Sequence, residues 1–256
     1  MNHHRYIYHV LLHVIKQTIL ILLFIYPLVS LSQPVVVHTY GDSIIYRGHH
    51  FLIGKKHTGI GFGNFIYQNG IKLAFLDKDT LTNGISISLS QRHQLKTTNG
   101  VEIGANITTS YVNGAAIGFV NSIYEKLNGI SFSVLYEYNW KTNGVAVSGL
   151  FEMSDYMKGI SIGGLADIHH KMNGFTLTGA YESVDSLKGV SIAGVAINAD
   201  NTNGVTISLI NITNTGHGLQ IGIFNEAKSY KGVQIGLINI NKSKKHLKLL
   251  PFVNIK

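Results

Sequence analysis

Four carboxylates recur at one interval along the chain, and they are the side chains best suited to bind a cation. They are Glu137, Glu152, Asp167 and Glu182, and the spacing from each to the next is the same. Carboxylate oxygens are ligands that Ca²⁺ prefers. Stacked about 4.8 Å apart, they would repel one another unless lysines or a bound cation offset the charge. A solvated acidic edge explains the same spacing without a ligand. We therefore predict no metal site and no cofactor, and retain these four carboxylates as the candidates.

Other reactive constellations are missing from the sequence. The chain has no cysteine, which excludes disulfides, thiolate metal sites, cysteine nucleophiles and a cysteine-linked lipid anchor. It has neither an H-E-x-x-H motif nor a G-x-S-x-G elbow with triad partners. Asp167 and His169, separated by a single residue, would share one face of a strand and form a second, smaller cation candidate. We predict that the protein is not an enzyme and has no catalytic residues.

The basic charge is spread thinly. The formal net charge is +8, and charged residues make up 13% of the chain. Only the segment from Lys242 to Lys248 forms a basic cluster, and the other lysines, Lys96 among them, are expected in turns. Because no arginine-rich patch with interleaved aromatics occurs, we predict no nucleic-acid partner. No small-molecule substrate is evident either, and the partner is left as an unknown component of the envelope or surface.

The first residues are typical of a targeting segment. Arg5 and Lys16 precede a short apolar run over residues 18–31, and Ser30-Leu31-Ser32 is typical of a cleavage site. We predict a signal peptide over residues 1–32 and therefore export to the cell envelope, the outer membrane or the cell surface. After the leader, we predict atypical β units or a β cap over 33–69, a β-repeat domain over 70–245 and a tail over 246–256.

A repeat dominates the rest of the chain. Glycines recur at a nearly constant spacing, and the preceding residue is usually Asn or Lys. Two apolar residues follow one position apart, with small or polar residues between them, and this period of two is typical of β-strands. The repeating glycines are Gly70, Gly84, Gly100, Gly114, Gly129, Gly144, Gly159, Gly174, Gly189, Gly204, Gly218 and Gly232.

Two all-β architectures fit such strand-turn units: a β-solenoid, in which each unit is one coil, and a closed up-and-down outer-membrane β-barrel, in which each unit is one strand. The shorter units lack a single residue near a second glycine, where a corner absorbs the change and a membrane strand would not. This favours the solenoid, with corners near Gly149, Gly164, Gly179, Gly194, Gly222 and Gly236. The frequent tyrosines near unit ends favour the barrel, which stays the alternative.

The small polar residues suggest one further possibility. On a solenoid, pairs such as Thr176/Thr178 and Ser131/Ser133 would form a flat outward face. Flat Thr-x-Thr arrays are what ice-binding solenoids display, so ice binding is a minor hypothesis.

The last units carry a resemblance. Residues 218–225 (GLQIGIFN) and 232–239 (GVQIGLIN) resemble the G-[LV]-Q-I-G-L-x-N units of a bacterial glycine-rich surface-repeat family, and Leu250-Pro-Phe-Val-Asn254 is similar to that family's proline-containing tail. The likeness is looser over residues 70–203, where Ser and Thr replace Gln. It implies an exported envelope protein of Gram-negative bacteria with no known activity, and it transfers no site residues. Without a cysteine, a lipid anchor does not transfer either.

These observations predict an exported, non-enzymatic β-repeat protein of the cell envelope with a structural or adhesive role. The alternative function is that of an outer-membrane β-barrel, as a pore or an anchor.

Overall fold

A computed structural model describes residues 50–55, 58–63, 65, 67–77, 81–91 and 93–256. The predicted signal peptide lies outside the described residues. The described chain is built from strands, which are β1 (His50–Lys55), β2 (Thr58–Gly63), β3 (Tyr67–Asp77), β4 (Leu81–Gln91), β5 (His93–Ser133), β6 (Tyr136–Ser148), β7 (Phe151–Gly163), β8 (Ala166–Thr178), β9 (Tyr181–Ala193), β10 (Ala196–Ile207), β11 (Ile210–Ile221), β12 (Phe224–Asn241) and β13 (Leu249–Ile255).

The strands stack as the coils of a β-solenoid. Every strand pairs with its neighbours in chain order, and the pairs from β2 to β12 are parallel. Equivalent residues lie in register from coil to coil, as Gly144, Gly159 and Gly174 do. The predicted solenoid is confirmed. The alternative of an up-and-down barrel is wrong, because its neighbouring strands would be antiparallel.

The repeating glycines form one corner of each coil. Gly159 has a φ of 137°, and a Cβ atom built on it would lie 1.9 Å from the carbonyl oxygen of Gly144 in the coil before. The other glycines of the predicted series have φ values between 111° and 147°. L-residues rarely adopt this conformation, so both the backbone angle and the close approach require glycine. The asparagines that precede these glycines form side-chain hydrogen bonds between adjacent coils, a role beyond their preference for turns. The amide of Asn143 donates to Asn128 at 2.9 Å, and the amide of Asn128 donates to Asn113 at 2.8 Å.

A second corner follows each short strand after the glycine. Bends interrupt the strands at residues 149–150, 164–165, 179–180 and 194–195, and again at 222–223. These bends confirm the predicted corners at the five corresponding glycines. The sixth, Gly236, lies inside β12, where the pairing with β13 shifts register between Gly236 and Asn239 instead.

In the strand that follows each repeating glycine, polar and apolar side chains alternate. The polar ones face the interior and the apolar ones face outward, which reverses the usual preference. In β7, Ser161 is fully buried, while its neighbour Ile160 is 39% exposed. The same holds in β8, where Thr176 and Thr178 point inward and Leu177 is 40% exposed. The small polar residues therefore line the interior, and the apolar pairs face outward. The hypothesis of a flat Ser/Thr face for ice is wrong for these residues, because they are enclosed.

Both ends of the stack finish with an antiparallel strand. β1 pairs with β2, and β13 pairs with β12, with Gln234 opposite Asn254 and Ile235 opposite Val253. The terminal strands thus cover edges that would otherwise present unpaired backbone groups. Within the described ranges, no helix has the length and hydropathy needed to cross a membrane.

Candidate functional site

The four carboxylates predicted as candidates stack in one column inside the solenoid. Glu137 pairs in register with Glu152, Glu152 with Asp167, and Asp167 with Glu182. All four side chains are fully buried. They are brought together as the repeat predicted, but the solvated edge is wrong, because the column lies in the interior.

Hydroxyl and amide groups inside the coil donate hydrogen bonds to one oxygen of each carboxyl group. Glu137 accepts hydrogen bonds from the hydroxyl of Ser131 and from the amide of Asn139, the latter at 2.7 Å. Thr176 donates to Asp167 at 3.0 Å, and Ser191 donates to Glu182. In each of the four carboxyl groups, however, one oxygen has no hydrogen-bond partner among the described atoms. Such a group is far less costly when it is protonated.

Burial raises the pKa of every carboxyl group in the column. It raises the pKa of Glu137 to about 7, that of Asp167 to about 6 and that of Glu182 to about 8. For Glu152, burial and the adjacent carboxylates of Asp167 and Glu137 together raise the pKa well above its ordinary value. Removal from water disfavours the charged form, and like charges on adjacent coils add to the effect. The column is therefore largely neutral in mildly acidic solution.

His169, the other predicted cation candidate, also faces the interior. Its Nδ1 atom lies 2.7 Å from the hydroxyl of Ser154 and 3.4 Å from a carboxylate oxygen of Glu152. Burial lowers its pKa to about 3, so the imidazole is neutral. The adjacent His170 points outward and lies 2.7 Å from Asp185. Among the described residues, no three His, Asp or Glu side chains are grouped so that they could hold a metal ion.

A buried ion network near the N-terminal end was missed by the sequence reasoning. Lys96, expected in a turn, is fully enclosed, and its Nζ atom lies 2.5 Å from a carboxylate oxygen of Asp77 and 2.5 Å from one of Glu102. Lys72 also lies 2.5 Å from Asp77. Burial opposes the charge on Lys96, but Glu102 and Asp77 outweigh it and raise its pKa. For Asp77, burial is likewise outweighed by Lys96 and Lys72, which hold its pKa below the usual range.

The repeat itself contained the signal for this network. The second residue after each glycine faces inward, and Ser86, Ser131 and Ser161 occupy that position in other coils. Lys72 and Glu102 occupy the same position after Gly70 and Gly100. Charged residues at this inward position therefore indicate buried ion pairs, which Lys72 forms with Asp77 and Glu102 forms with Lys96. Because the sequence alone does not say which face of the strand is inside, it could not reveal this buried network.

On the outside, the coils present a continuous strip of apolar side chains. We call it the apolar strip, and it consists of three columns: the first residue after each glycine, the third, and the residue at the second corner. Leu150, Leu165 and Val195 at that corner are 41%, 46% and 49% exposed. The strip includes Ile60, Phe62, Ile71, Leu73, Phe75, Ile85, Ile87, Leu89, Val101, Ile103, Ile130, Phe132, Val145, Val147, Leu150, Ile160, Ile162, Leu165, Phe175, Leu177, Val190, Ile192, Val195, Val205, Ile207, Leu209, Leu219, Ile221, Ile223, Val233, Ile235 and Leu237.

Charge is sorted between the interior and the exterior. Among the side chains that the structure describes, two lysines and six carboxylates are buried, whereas twelve lysines and only five carboxylates face outward. The outer lysines lie at the corner beside the glycines and at the C-terminal end. They are Lys126, Lys141, Lys158, Lys171, Lys188, Lys228, Lys231, Lys242, Lys244, Lys245, Lys248 and Lys256.

Comparison with known proteins adds no identity to this geometry, because no family model, no curated protein and no solved structure matches the chain.

Proposed function

We propose that this protein is an exported, non-enzymatic β-solenoid of the bacterial cell envelope, and that it serves as an interaction surface through the apolar strip. The observation that carries the proposal is the strip itself. Soluble monomers rarely expose a contiguous apolar patch of more than a few hundred Å², and larger patches mark sites of interaction. Here the same apolar positions face outward in coil after coil.

Accessibility supports a binding role over catalysis. The groups with strongly shifted pKa values, such as Glu152, Glu182 and His169, are enclosed by the coils. A catalytic acid or base must come within hydrogen-bonding reach of its substrate. Side chains enclosed in this way do not reach a substrate, and their charge instead affects the stability of the stacked coils.

The envelope location rests on the predicted signal peptide over residues 1–32 and on the resemblance of residues 204–254 to exported repeat units. Expression of the full chain in a Gram-negative host, followed by fractionation and N-terminal sequencing, tests the location. We expect the protein in the envelope fraction with Gln33 as its first residue. Recovery of the uncleaved chain from the cytoplasm would contradict export.

The binding role is tested on the strip. The triple variant Leu150→Asn, Leu165→Asn, Val195→Asn removes apolar side chains from the second corner. The double variant Ser186→Asn, His170→Asn changes polar positions outside the strip, three and four residues before a repeating glycine. We expect the triple variant to be retained less strongly than the parent on a hydrophobic-interaction column and to give less fluorescence with an apolar dye. The double variant should behave like the parent. Equal retention of all three proteins would refute a binding role for the strip.

A further inference from the structure

We propose that the partner of the apolar strip is a lipid surface with anionic headgroups, and that lysines along one border of the strip contact those headgroups. This inference rests on the proposed function, because it names the partner of the same surface.

The strip has the dimensions of a membrane-binding face. Glycines from Gly59 to Gly232 lie in register, one per coil, and the strip follows them along the stack. At about 4.8 Å per coil, the strip is about 60 Å long and about 10 Å wide, or roughly 600 Å². No member of the strip is charged. A long apolar band without charged members can lie in the plane of a bilayer interface.

Cations lie directly along one border. The residue before each glycine adjoins the first column of the strip, and Lys158, Lys188 and Lys231 occupy that position as exposed side chains. Asparagines occupy it in most other coils. A long lysine side chain beside an apolar surface keeps its ammonium group in the headgroup region while its methylene stem stays on the apolar side. Each such cation strengthens binding to anionic lipid.

The charge of the whole exterior favours the same partner. Because six carboxylates are enclosed, the outward side chains described here have a net excess of seven positive charges, from twelve lysines and five carboxylates. An anionic surface attracts such an exterior, whereas a cationic or strongly hydrated partner does not.

Aromatic side chains lie just beyond the lysine border. Tyr111, Trp140 and Tyr156 are 45%, 57% and 43% exposed, and the ammonium group of Lys171 lies 5.4 Å from the ring centre of Tyr156. Tyrosine and tryptophan favour the level of the headgroups, where an apolar ring and a polar edge are both accommodated. In the coil of Gly159, Tyr156, Lys158 and the apolar strip thus follow one another in the order that a bilayer interface presents. Tyr111 and Trp140 precede the glycine corner in coils that have Asn113 and Asn143 at the border position.

A second copy of the chain fits this surface less well. Two strips can pack face to face about a two-fold axis in only two ways. If the axis crosses the strips, the lysine borders of both copies meet and repel each other. If the axis runs along them, each lysine border lies against the partner's apolar corner at Leu150 and Leu165 and loses its water. Both arrangements place cations unfavourably, and a lipid surface does not.

The test is flotation of the exported protein, after removal of its leader, with vesicles of phosphatidylcholine alone and with vesicles in which a third of the lipid is phosphatidylglycerol. The border variant is Lys158→Gln, Lys188→Gln, Lys231→Gln. Its matched control removes the same charge from the C-terminal end: Lys242→Gln, Lys245→Gln, Lys248→Gln. The residues before the solenoid are identical in all proteins, so differences between them arise from the solenoid. Circular dichroism of each variant checks that the β structure is retained.

We expect the parent to float with the anionic vesicles much more than with the neutral ones. The border variant should bind anionic vesicles at least about tenfold more weakly, since each cation near the surface contributes about fivefold, and the end variant should lose less than about threefold. The strip variant Leu150→Asn, Leu165→Asn, Val195→Asn should float less than the parent with both kinds of vesicle. Equal losses in the border and end variants would overturn the proposed orientation.

The two proposals fail differently. Absence of flotation with either vesicle, together with a dimer mass by light scattering, would overturn the lipid partner and leave the strip as an interaction surface for a second copy. Unchanged binding of lipid and apolar dye by the strip variant would overturn both proposals.

Discussion

Glu152 and Asp167 lie side by side on adjacent coils, and one hydroxyl group is shared between them. The Oγ atom of Ser161 lies 3.3 Å from a carboxylate oxygen of Glu152 and 3.2 Å from one of Asp167. Since a hydroxyl donates one hydrogen bond at a time, one of the two carboxyl groups always lacks that donor. The arrangement is most stable when at least one of the pair is protonated, and this links the stability of the fold to pH.

We predict that the protein is more stable in mild acid than at slightly alkaline pH. The folded pKa values of the column are raised above the ordinary values of 3.8 to 4.5, to about 7 for Glu137, about 6 for Asp167 and about 8 for Glu182. The folded state therefore binds more protons than the unfolded chain over this range. The contribution of these carboxyl groups to the free energy of unfolding is fully present near pH 4. It is lost as the pH rises through their folded pKa values towards 8. His169 has the opposite effect on stability, because burial lowers its pKa to about 3. This effect is present only below its ordinary pKa of 6.5.

Urea unfolding at a series of pH values measures this effect. Glu182→Gln should raise the free energy of unfolding at pH 8 and change little at pH 4, because the amide mimics the protonated acid. Glu125→Gln, on the exposed surface, is the matched control and should leave the pH profile unchanged. A parent protein that gains stability from pH 5 to pH 8 would show that the column is ionised.

The buried network around Lys96 predicts a different response. Lys96→Met removes the cation that lies 2.5 Å from both Asp77 and Glu102, and it leaves Glu102 buried beside no cation that the structure shows within salt-bridge distance. Breaking a buried pair in this way costs about 3–5 kcal/mol. The exposed Lys141→Met is the control and should cost less than about 1 kcal/mol. Adding Glu102→Gln to Lys96→Met should restore part of the loss, and a lack of any recovery would argue against the pairing.

Most of the fold was predictable because it depends on the repeat period of the sequence and on backbone conformations that only glycine adopts. The nearly constant spacing of the repeating glycines, and the loss of single residues near Gly222 rather than within a strand, indicated parallel coils with corners. The conformation at Gly159 follows from the same pattern, since only glycine tolerates it. Such features are local or strictly repeated, so one sequence contains enough information to reveal them.

The inside and the outside of the coil were not predictable in the same way. A period of two defines two faces but does not say which of Ser161 and Ile162 is enclosed. The usual preference for apolar interiors points to the isoleucine, whereas the structure encloses the serine. The enclosed serine donates hydrogen bonds to the stacked carboxyl groups of Glu152 and Asp167, a role that an isoleucine cannot take. The position of Lys96 depended on the same choice, so it was missed for the same reason.

The glycine corner predicts a sharp stability difference between two similar substitutions. In Gly159→Ala the new Cβ atom would lie 1.9 Å from the carbonyl oxygen of Gly144, at a φ of 137°. In Gly104→Ala the nearest atom is the carbonyl oxygen of Ser88 at 3.1 Å, and φ is not in the left-handed region. We expect the first variant to lose at least about 3 kcal/mol and the second about 1 kcal/mol or less. Thermal unfolding of both proteins decides this, and equal losses would mean that the coils are not stacked through this corner.

A final prediction tests which face is inside. Ser161 is fully buried and bonds to the carboxyl column, and Ile160 beside it is 39% exposed. Ser161→Ile would force a large side chain into a filled interior and remove the shared donor, so we expect a loss of about 3 kcal/mol or more. Ile160→Thr removes apolar surface from the outside and keeps a β-branched residue in the strand, so it should cost less than about 1 kcal/mol. Chemical unfolding of the two variants at pH 5 gives the comparison. If Ile160→Thr were the more damaging change, the apolar set would have to face the interior, and the apolar strip would then be the core of the solenoid rather than its binding surface.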